Sequence, residues 1–196
     1  QDIRFKVSYS MDDGVGPAHF WTDGDDENVF IDSWSADETH PFAYIETKAF
    51  EGLPTWNDLS TIKILSTKRG WVPSLTAWSE YWVGVMDKYD SMLGLSIRTN
   101  NPLDQRVRTK YFCRANVHGA GGAYYNGGDH VGIHSANMVS IFEYNWGGLH
   151  EVGHGYQGFM NSGPMYLAEV SNNIYGYQVQ HDKSIYKGNG EWMNFD

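Results

Sequence analysis

An α+β fold is what three features of this 196-residue sequence predict. Short β-prone runs bounded by Gly- and Asp-rich turns recur between Ile3 and Ile133. Between Leu75 and Leu93 the apolar residues change to spacings of three and four, the period of a helix with one buried face. Two further helical segments close the chain between Trp146 and Gln180.

The length suits one domain, or part of a larger one, and is enough to bury a sizeable core. A hydrophobic fraction of 41%, with 8 Trp, 13 Tyr and 9 Phe spread along the chain, excludes disorder. The formal charge of -10 argues against nucleic acid as a partner, because binding a phosphate backbone needs clustered Lys and Arg. No apolar run approaches the roughly 20 residues of a membrane span, so no transmembrane segment is expected. The opening Gln1-Asp2-Ile3-Arg4-Phe5 lacks the apolar core of a signal peptide, although a processed product would look the same. The lone cysteine, Cys113, lies in the apolar stretch Tyr111-Phe112-Cys113 and is expected to be a buried structural thiol.

Residues 1–50 are expected to form a small N-terminal β region from Ile3–Tyr9, Asn28–Ile31 and Phe42–Thr47. The acidic cluster Asp23-Gly24-Asp25-Asp26 lacks the spacing and closing Glu of a calcium loop and reads as a turn. Thr61 to Leu65 alternates as a half-buried strand should. Leu75, Trp78, Trp82, Val85, Met86, Tyr89 and Leu93 share one face of a helix, with Ser74 or Thr76 as its N-cap. Tyr111–Val117 and Val131–Ile133 read as strands separated by the Gly121–Tyr125 segment. Trp146–Gln157 carries four glycines at about 1 kcal/mol each relative to Ala, yet its site chemistry demands a helix. A loop then leads to Pro164, placed in the first turn of a helix over Met165–Gln180, with Leu167, Val170, Ile174 and Tyr177 along one side.

That chemistry is carried by His150-Glu151-Val152-Gly153-His154, an H-E-x-x-H pattern. Histidines four apart lie one turn apart on the same helix face, so both rings can reach one zinc ion at about 2.0 to 2.1 Å. Glu151 then sits beside the metal. As general base it can take a proton from the zinc-bound water and pass it to a leaving amine. A shuffled sequence of this composition would contain the pattern in about one or two of a hundred trials, so context must add weight. A catalytic zinc needs a third protein ligand and an open position, and Glu169, near the start of the following helix, is placed to supply it. Two satisfied histidines on a glycine-rich surface helix are the competing account.

The segment Gly148-Leu149-His150-Glu151-Val152-Gly153-His154-Gly155-Tyr156-Gln157, together with Glu169-Val170-Ser171-Asn172-Asn173-Ile174-Tyr175, resembles the enhancin-like M60 peptidases of the gluzincin group. Weaker similarity runs upstream through Pro54-Thr55-Trp56, Ala77 to Leu93 and Gly121 to Tyr125. The resemblance implies a zincin-like fold: a twisted sheet with a flanking helix, an active-site helix, and a following helix bearing the third ligand. It also implies a secreted or cell-surface zinc endopeptidase cleaving mucins or other O-glycosylated proteins. On this reading residues 51–196 belong to a zincin catalytic domain truncated at its C-terminal lobe, with additional domains elsewhere in a longer chain.

Further assignments reach beyond the ligands. Asn173, one turn after Glu169, is placed to hydrogen-bond a zinc ligand from behind, with a plain surface Asn as the competing reading. Gly121, Gly122, Ala123 and Tyr124 resemble the edge strand along which gluzincins align an extended substrate, with a structural turn as the competing reading. Tyr175, Tyr177, His181 and Tyr186 are the candidates for stabilising the oxyanion. His130 and His134, if on a strand, lie about 13 Å apart and cannot share a metal. Two rival functions remain: a zinc peptidase for unglycosylated peptides, and a non-catalytic glycan- or protein-binding module with surface Trp residues stacking on sugars.

Overall fold

The first elements among the described residues are a strand and a capped helix. Asp26 Oδ1 accepts from the backbone N–H groups of Asn28 (2.8 Å) and Val29 (3.3 Å), which starts helix α1, Glu27–Ala36. The expected strand at Asn28–Ile31 is therefore helical, and Phe30 and Trp34, four apart, are its buried residues. Asp25 Oδ2 accepts from Trp21 N at 2.7 Å, so the acidic cluster serves as turn and cap. The computed structural model describes residues 17–36, 40–96, 100–101, 110–115, 123–126, 130–133, 138–161, 164 and 166–183. The expected strand Ile3–Tyr9 lies outside them.

Among the described residues, six strands form one sheet: β1 (His19–Trp21), β2 (Tyr44–Glu46), β3 (Phe50–Leu53), β4 (Tyr111–Ala115), β5 (Ala123–Asn126) and β6 (His130–Ile133), in the order β1-β2-β3-β4-β6-β5. The pairs β1/β2, β3/β4 and β4/β6 are parallel, and β2/β3 and β5/β6 are antiparallel. β3 begins at residue 50 and joins the β1–β2 part of the sheet to β4. β5 lies at one edge, as expected for Ala123 and Tyr124, while Gly121 and Gly122 fall outside the described residues.

The run Thr61–Leu65 is not a strand. Asp58 accepts from the backbone N–H of Thr55 at 2.8 Å and starts helix α2, Trp56–Ile62, which passes into a 3₁₀ turn at Leu65–Thr67. Leu59, Ile62 and Leu65 are buried at a spacing of three, while Ile64 is exposed; the helical period has won over a short alternation.

Helix α3, Leu75–Met92, is capped by Ser74, whose side chain accepts from Ala77 N at 3.0 Å. Leu75, Trp78, Trp82, Val85, Met86 and Tyr89 are buried as the periodicity predicts. Leu93 falls past the last turn and is exposed. Phe50 of the sheet packs against Trp78, Trp82 and Tyr111 with ring centroids 4.9 to 5.8 Å apart, forming the aromatic centre of the core. Burying each such ring is worth roughly 1.5 to 3 kcal/mol. Cys113 is fully buried, and burial pushes its thiol pKa up, consistent with an inert structural thiol.

The short helix α4 (Val139–Phe142) leads into helix α5 (Trp146–His154), and the last described helix is α6, Ser171–Lys183. α6 starts later than the expected Met165. Backbone bonds from Val170 N and Ser171 N to Leu167 O, each 3.0 Å, close a turn there instead. Its buried face is also different: Leu167, Val170 and Ile174 are exposed, and Ser171, Asn172, Tyr175 and Val179 face inward. Contact between α5 and Asn172 and Gly176 sets that phase.

Among the described residues, no helix is long and apolar enough to cross a membrane.

Candidate metal centre

Glycine lets α5 sit where its histidines meet the next segment. A Cβ on Gly148 would lie 3.0 Å from the Trp82 ring, and one on Gly153 only 2.9 Å from the backbone oxygen of Asn172. Of the three glycines within α5, two thus permit the close approach of α3 and α6, while the fourth expected there, Gly155, is its C-cap. Tyr89 of α3 donates its hydroxyl to Leu149 O at 2.9 Å and further fixes α5.

On α5, His150, Glu151 and His154 occupy neighbouring turns, and Glu169 approaches from the turn before α6 rather than from within that helix. One ligand atom from each of His150, His154 and Glu169 can be chosen so that all three lie within 4.8 Å of one another. Glu169 Oε2 is 3.1 Å from His150 Nε2 and 3.5 Å from His154 Nε2. Glu151 is nearly buried, and its Oε2 is 4.0 Å from His154 Nε2, beside the cluster rather than in it.

Which ring nitrogens face the centre is set by the amides behind them. Asn173 Nδ2 donates to Glu169 O at 2.7 Å, which turns Oδ1 toward His150 Nδ1, 2.7 Å away. Gln157 Nε2 donates to Ala168 O and, at 2.7 Å, to Ser171 Oγ, which turns its Oε1 toward His154 Nδ1 at 2.8 Å. An amide oxygen can only accept, so both rings carry their proton on Nδ1. In the neutral imidazoles both Nε2 atoms then present their lone pairs to the centre, where the Nδ2 of Asn172 meets them at 2.9 and 3.0 Å. Burial, with the neighbouring His154, moves the His150 pKa below its ordinary 6.5, opposed by Asn173 and Glu169.

Two features test whether a cation suits the donors. Two imidazole nitrogens and a carboxylate are a donor set of the kind zinc takes at catalytic sites. Asn172, fully buried, places Nδ2 at 2.9 Å from His150 Nε2 and 3.0 Å from His154 Nε2, while its Oδ1 has no hydrogen-bond partner. The Asn172 Nδ2 thus meets the same two lone pairs that a cation held by both rings would take. The residues fit a metal.

Gln157 and Asn172 carry no signal that the sequence alone would single out. Gln157 comes three residues after His154, the spacing that places it on the same face, but a Gln carries no ligand signature. Among the oxyanion candidates, Tyr175 is ruled out by its contacts: it is buried, and its hydroxyl donates to Tyr156 O at 3.0 Å. Tyr177 and His181 pack against each other, ring centroids 5.8 Å apart, and Tyr186 lies outside the described residues. His130 lies on β6 as expected, with His134 beyond the described residues.

Solved structures with the same fold include the M60 catalytic domain of Clostridium perfringens ZmpC in complex with the sialyl T antigen. That match has TM-score 0.66 and 18% identity, over 88% of this chain and 36% of the other. A metallopeptidase in complex with Tn antigen matches with TM-score 0.63 and 17% identity, over 88% and 30% of the two chains. A functionally unknown conserved protein from Bacillus anthracis matches with TM-score 0.68 and 16% identity, over 85% and 33%. The chain therefore spans about a third of the length of these proteins. No curated protein matches it. The family model for peptidase M60, enhancin and enhancin-like, matches residues 72–189, more than half of the chain and all of this centre, and the protein belongs to that family.

Proposed function

We propose that this chain carries the zinc centre of a secreted or cell-surface endopeptidase that hydrolyses mucin-like or other O-glycosylated proteins. The observation that carries the proposal is the convergence of two unprotonated Nε2 atoms and the Glu169 carboxylate, with Glu151 set beside them. His150, His154 and Glu169 are the proposed zinc ligands, and Glu151 is the proposed catalytic residue. When bound, zinc supplies a Lewis acid that polarises a carbonyl and makes a water molecule acidic near neutral pH. With zinc bound, Glu151 would accept a proton from water as the water oxygen bonds to the carbonyl carbon, and would deliver that proton to the amine nitrogen as the C–N bond breaks. Its placement on the same helix as two of the proposed ligands holds its carboxylate beside them, 4.0 Å from His154 Nε2. Along the edge strand β5, the backbone of Ala123 and Tyr124 is the proposed rail for an extended substrate, which would add as a further strand. Glycan-bound relatives, with sialyl T and Tn antigens, support the glycoprotein part of the reading.

The test separates proton transfer from metal binding in the full-length protein. Glu151→Gln keeps size and polarity but cannot take the proton, so zinc content should stay and turnover should fall by about 10²- to 10⁴-fold. Glu169→Ala removes a ligand and its charge, so zinc itself should be lost or held far more weakly. Elemental analysis beside a peptidase assay reads both. Loss of zinc from Glu151→Gln, or full zinc and full activity in Glu169→Ala, refutes the roles. Substrate class is read by cleavage of a mucin-type glycoprotein before and after enzymatic deglycosylation. Equal or faster cleavage of the bare protein would favour a peptidase for unglycosylated peptides.

A further inference from the structure

We propose that Gln157 is a positioning residue that couples two of the metal ligands, setting the ring of His154 with one end of its amide and the turn that presents Glu169 with the other. The inference rests on the zinc reading of the site. Gln157 is 1% exposed, although it lies past the end of α5 and stands beside a half-exposed segment. Every polar atom of its side chain is used. Oε1 faces His154 Nδ1 at 2.8 Å, and Nε2 donates to Ala168 O, to Ser171 Oγ at 2.7 Å and, more loosely, to Leu167 O at 3.4 Å. Ser171 Oγ in turn donates to Leu167 O at 3.1 Å, so the turn is closed on itself and on Gln157 together.

This arrangement matters because Glu169 lies outside any helix, so neighbouring side chains and turn bonds must hold its backbone. It sits between Ala168 and Val170 in a turn, its side chain is 73% exposed, and no helical ladder encloses it. A ligand on such a segment would lose conformational freedom on binding a metal unless the backbone beside it were already held. Gln157 holds the carbonyl of the residue immediately before it. The same amide keeps the proton of His154 on Nδ1 and leaves Nε2 unprotonated. Asn173 performs the matching task for His150, with Nδ2 on Glu169 O and Oδ1 on the ring. The turn bearing Glu169 is therefore gripped from both sides by amides whose other ends orient the two histidines.

The experiment uses the full-length protein and Gln157→Met, which keeps the side-chain length and removes every hydrogen bond. Zinc affinity, measured by competition with a chelator of known strength, should fall by about 10- to 100-fold. Cobalt(II) substituted for zinc should show altered visible bands, since these report ligand geometry; a residue that only fills space would leave them unchanged. Zinc affinity within about twofold of the wild type in a folded Gln157→Met protein, with the same cobalt spectrum, overturns the inference. Should Gln157→Met fail to fold, Gln157→Glu is read in the same way. It retains an acceptor for His154 but loses the donors to Ala168 and Ser171, so undiminished zinc affinity there removes the link to Glu169. A wild-type protein that takes up no zinc sinks the zinc reading and this inference with it. A zinc-binding wild type beside an unchanged variant sinks the inference alone.

Discussion

At the scale of single residues, the centre is built by amides as much as by the proposed ligands. Asn173 illustrates this: its carboxamide spans from Glu169 O to His150 Nδ1, and the donor end dictates which atom the histidine meets. Asn173→Ala should lower zinc affinity on the order of 10- to 100-fold, read by chelator competition, with the fold intact because the residue is only half-buried. Unchanged affinity would return Asn173 to an ordinary surface role. The two histidines, Glu151 and Glu169 were legible in the sequence because their chemistry imposes a spacing, and Asn173 because it stands one turn beyond Glu169. Gln157 and Asn172 were not, since an amide acts through whatever its two ends touch, and those partners are brought together only by the crossing of α5 and α6. Tyr175 misled for the complementary reason. Its position suggested a donor, while its hydroxyl is spent on Tyr156 O within a cluster of Tyr89, Tyr156 and Tyr175.

At the scale of elements, helix propensity and helix packing pull in opposite directions along α5. Gly153 costs about 1 kcal/mol relative to Ala within a helix, so Gly153→Ala would stabilise an isolated segment. Here the new methyl would stand 2.9 Å from Asn172 O and 3.2 Å from Asn172 Cβ, and backbone cannot step aside as a flexible side chain can. Forcing α5 and α6 apart should destabilise the protein by roughly 1 to 3 kcal/mol net, visible as a lower denaturant midpoint. It should also weaken zinc binding, because the same displacement separates His150 and His154 from Glu169. A Gly153→Ala protein with raised stability and full zinc affinity would show that the contact is looser than the structure places it. The same conflict explains why sequence periodicity placed α6 in the wrong phase. Leu167, Val170 and Ile174 form an apolar row by spacing, yet the groove on α5 accepts Asn172 and Gly176, and the row faces outward. Caps were decisive elsewhere: Asp26 and Asp58 each start a helix where β-branched residues suggested a strand.

At the scale of the whole molecule, strand order was the least legible feature, because β3 pairs with β4 across the intervening α2 and α3, and no local pattern encodes such distant partners. One buried carboxylate ties these distant parts together. Asp58 on α2 is fully buried; Oδ2 accepts from Thr55 N and Oγ1, and Oδ1 accepts from Met138 N at 2.5 Å, just before α4. The bond to Met138 joins α2 to the approach to α5. Replacing Asp58 by Asn substitutes an NH₂ for one acceptor and turns it toward a backbone N–H, so a buried donor loses its partner at a cost of about 1 to 3 kcal/mol. The pH dependence carries a second signature. Burial raises the Asp58 pKa above its ordinary 3.8, and the hydrogen bonds from Met138 and Thr55 only partly oppose this. Between 3.8 and the raised value the folded protein binds more protons at this site than the unfolded chain does. Stability from this group is therefore fully present below 3.8 and declines as pH rises through the folded pKa. Urea titrations of the wild type and Asp58→Asn across the acid range isolate the contribution, because the other carboxylates cancel in the difference. That difference should fall with rising pH above 3.8 and then level off. A difference that rises over the same window would mean that the hydrogen bonds outweigh burial, and that folding favours the ionised carboxylate.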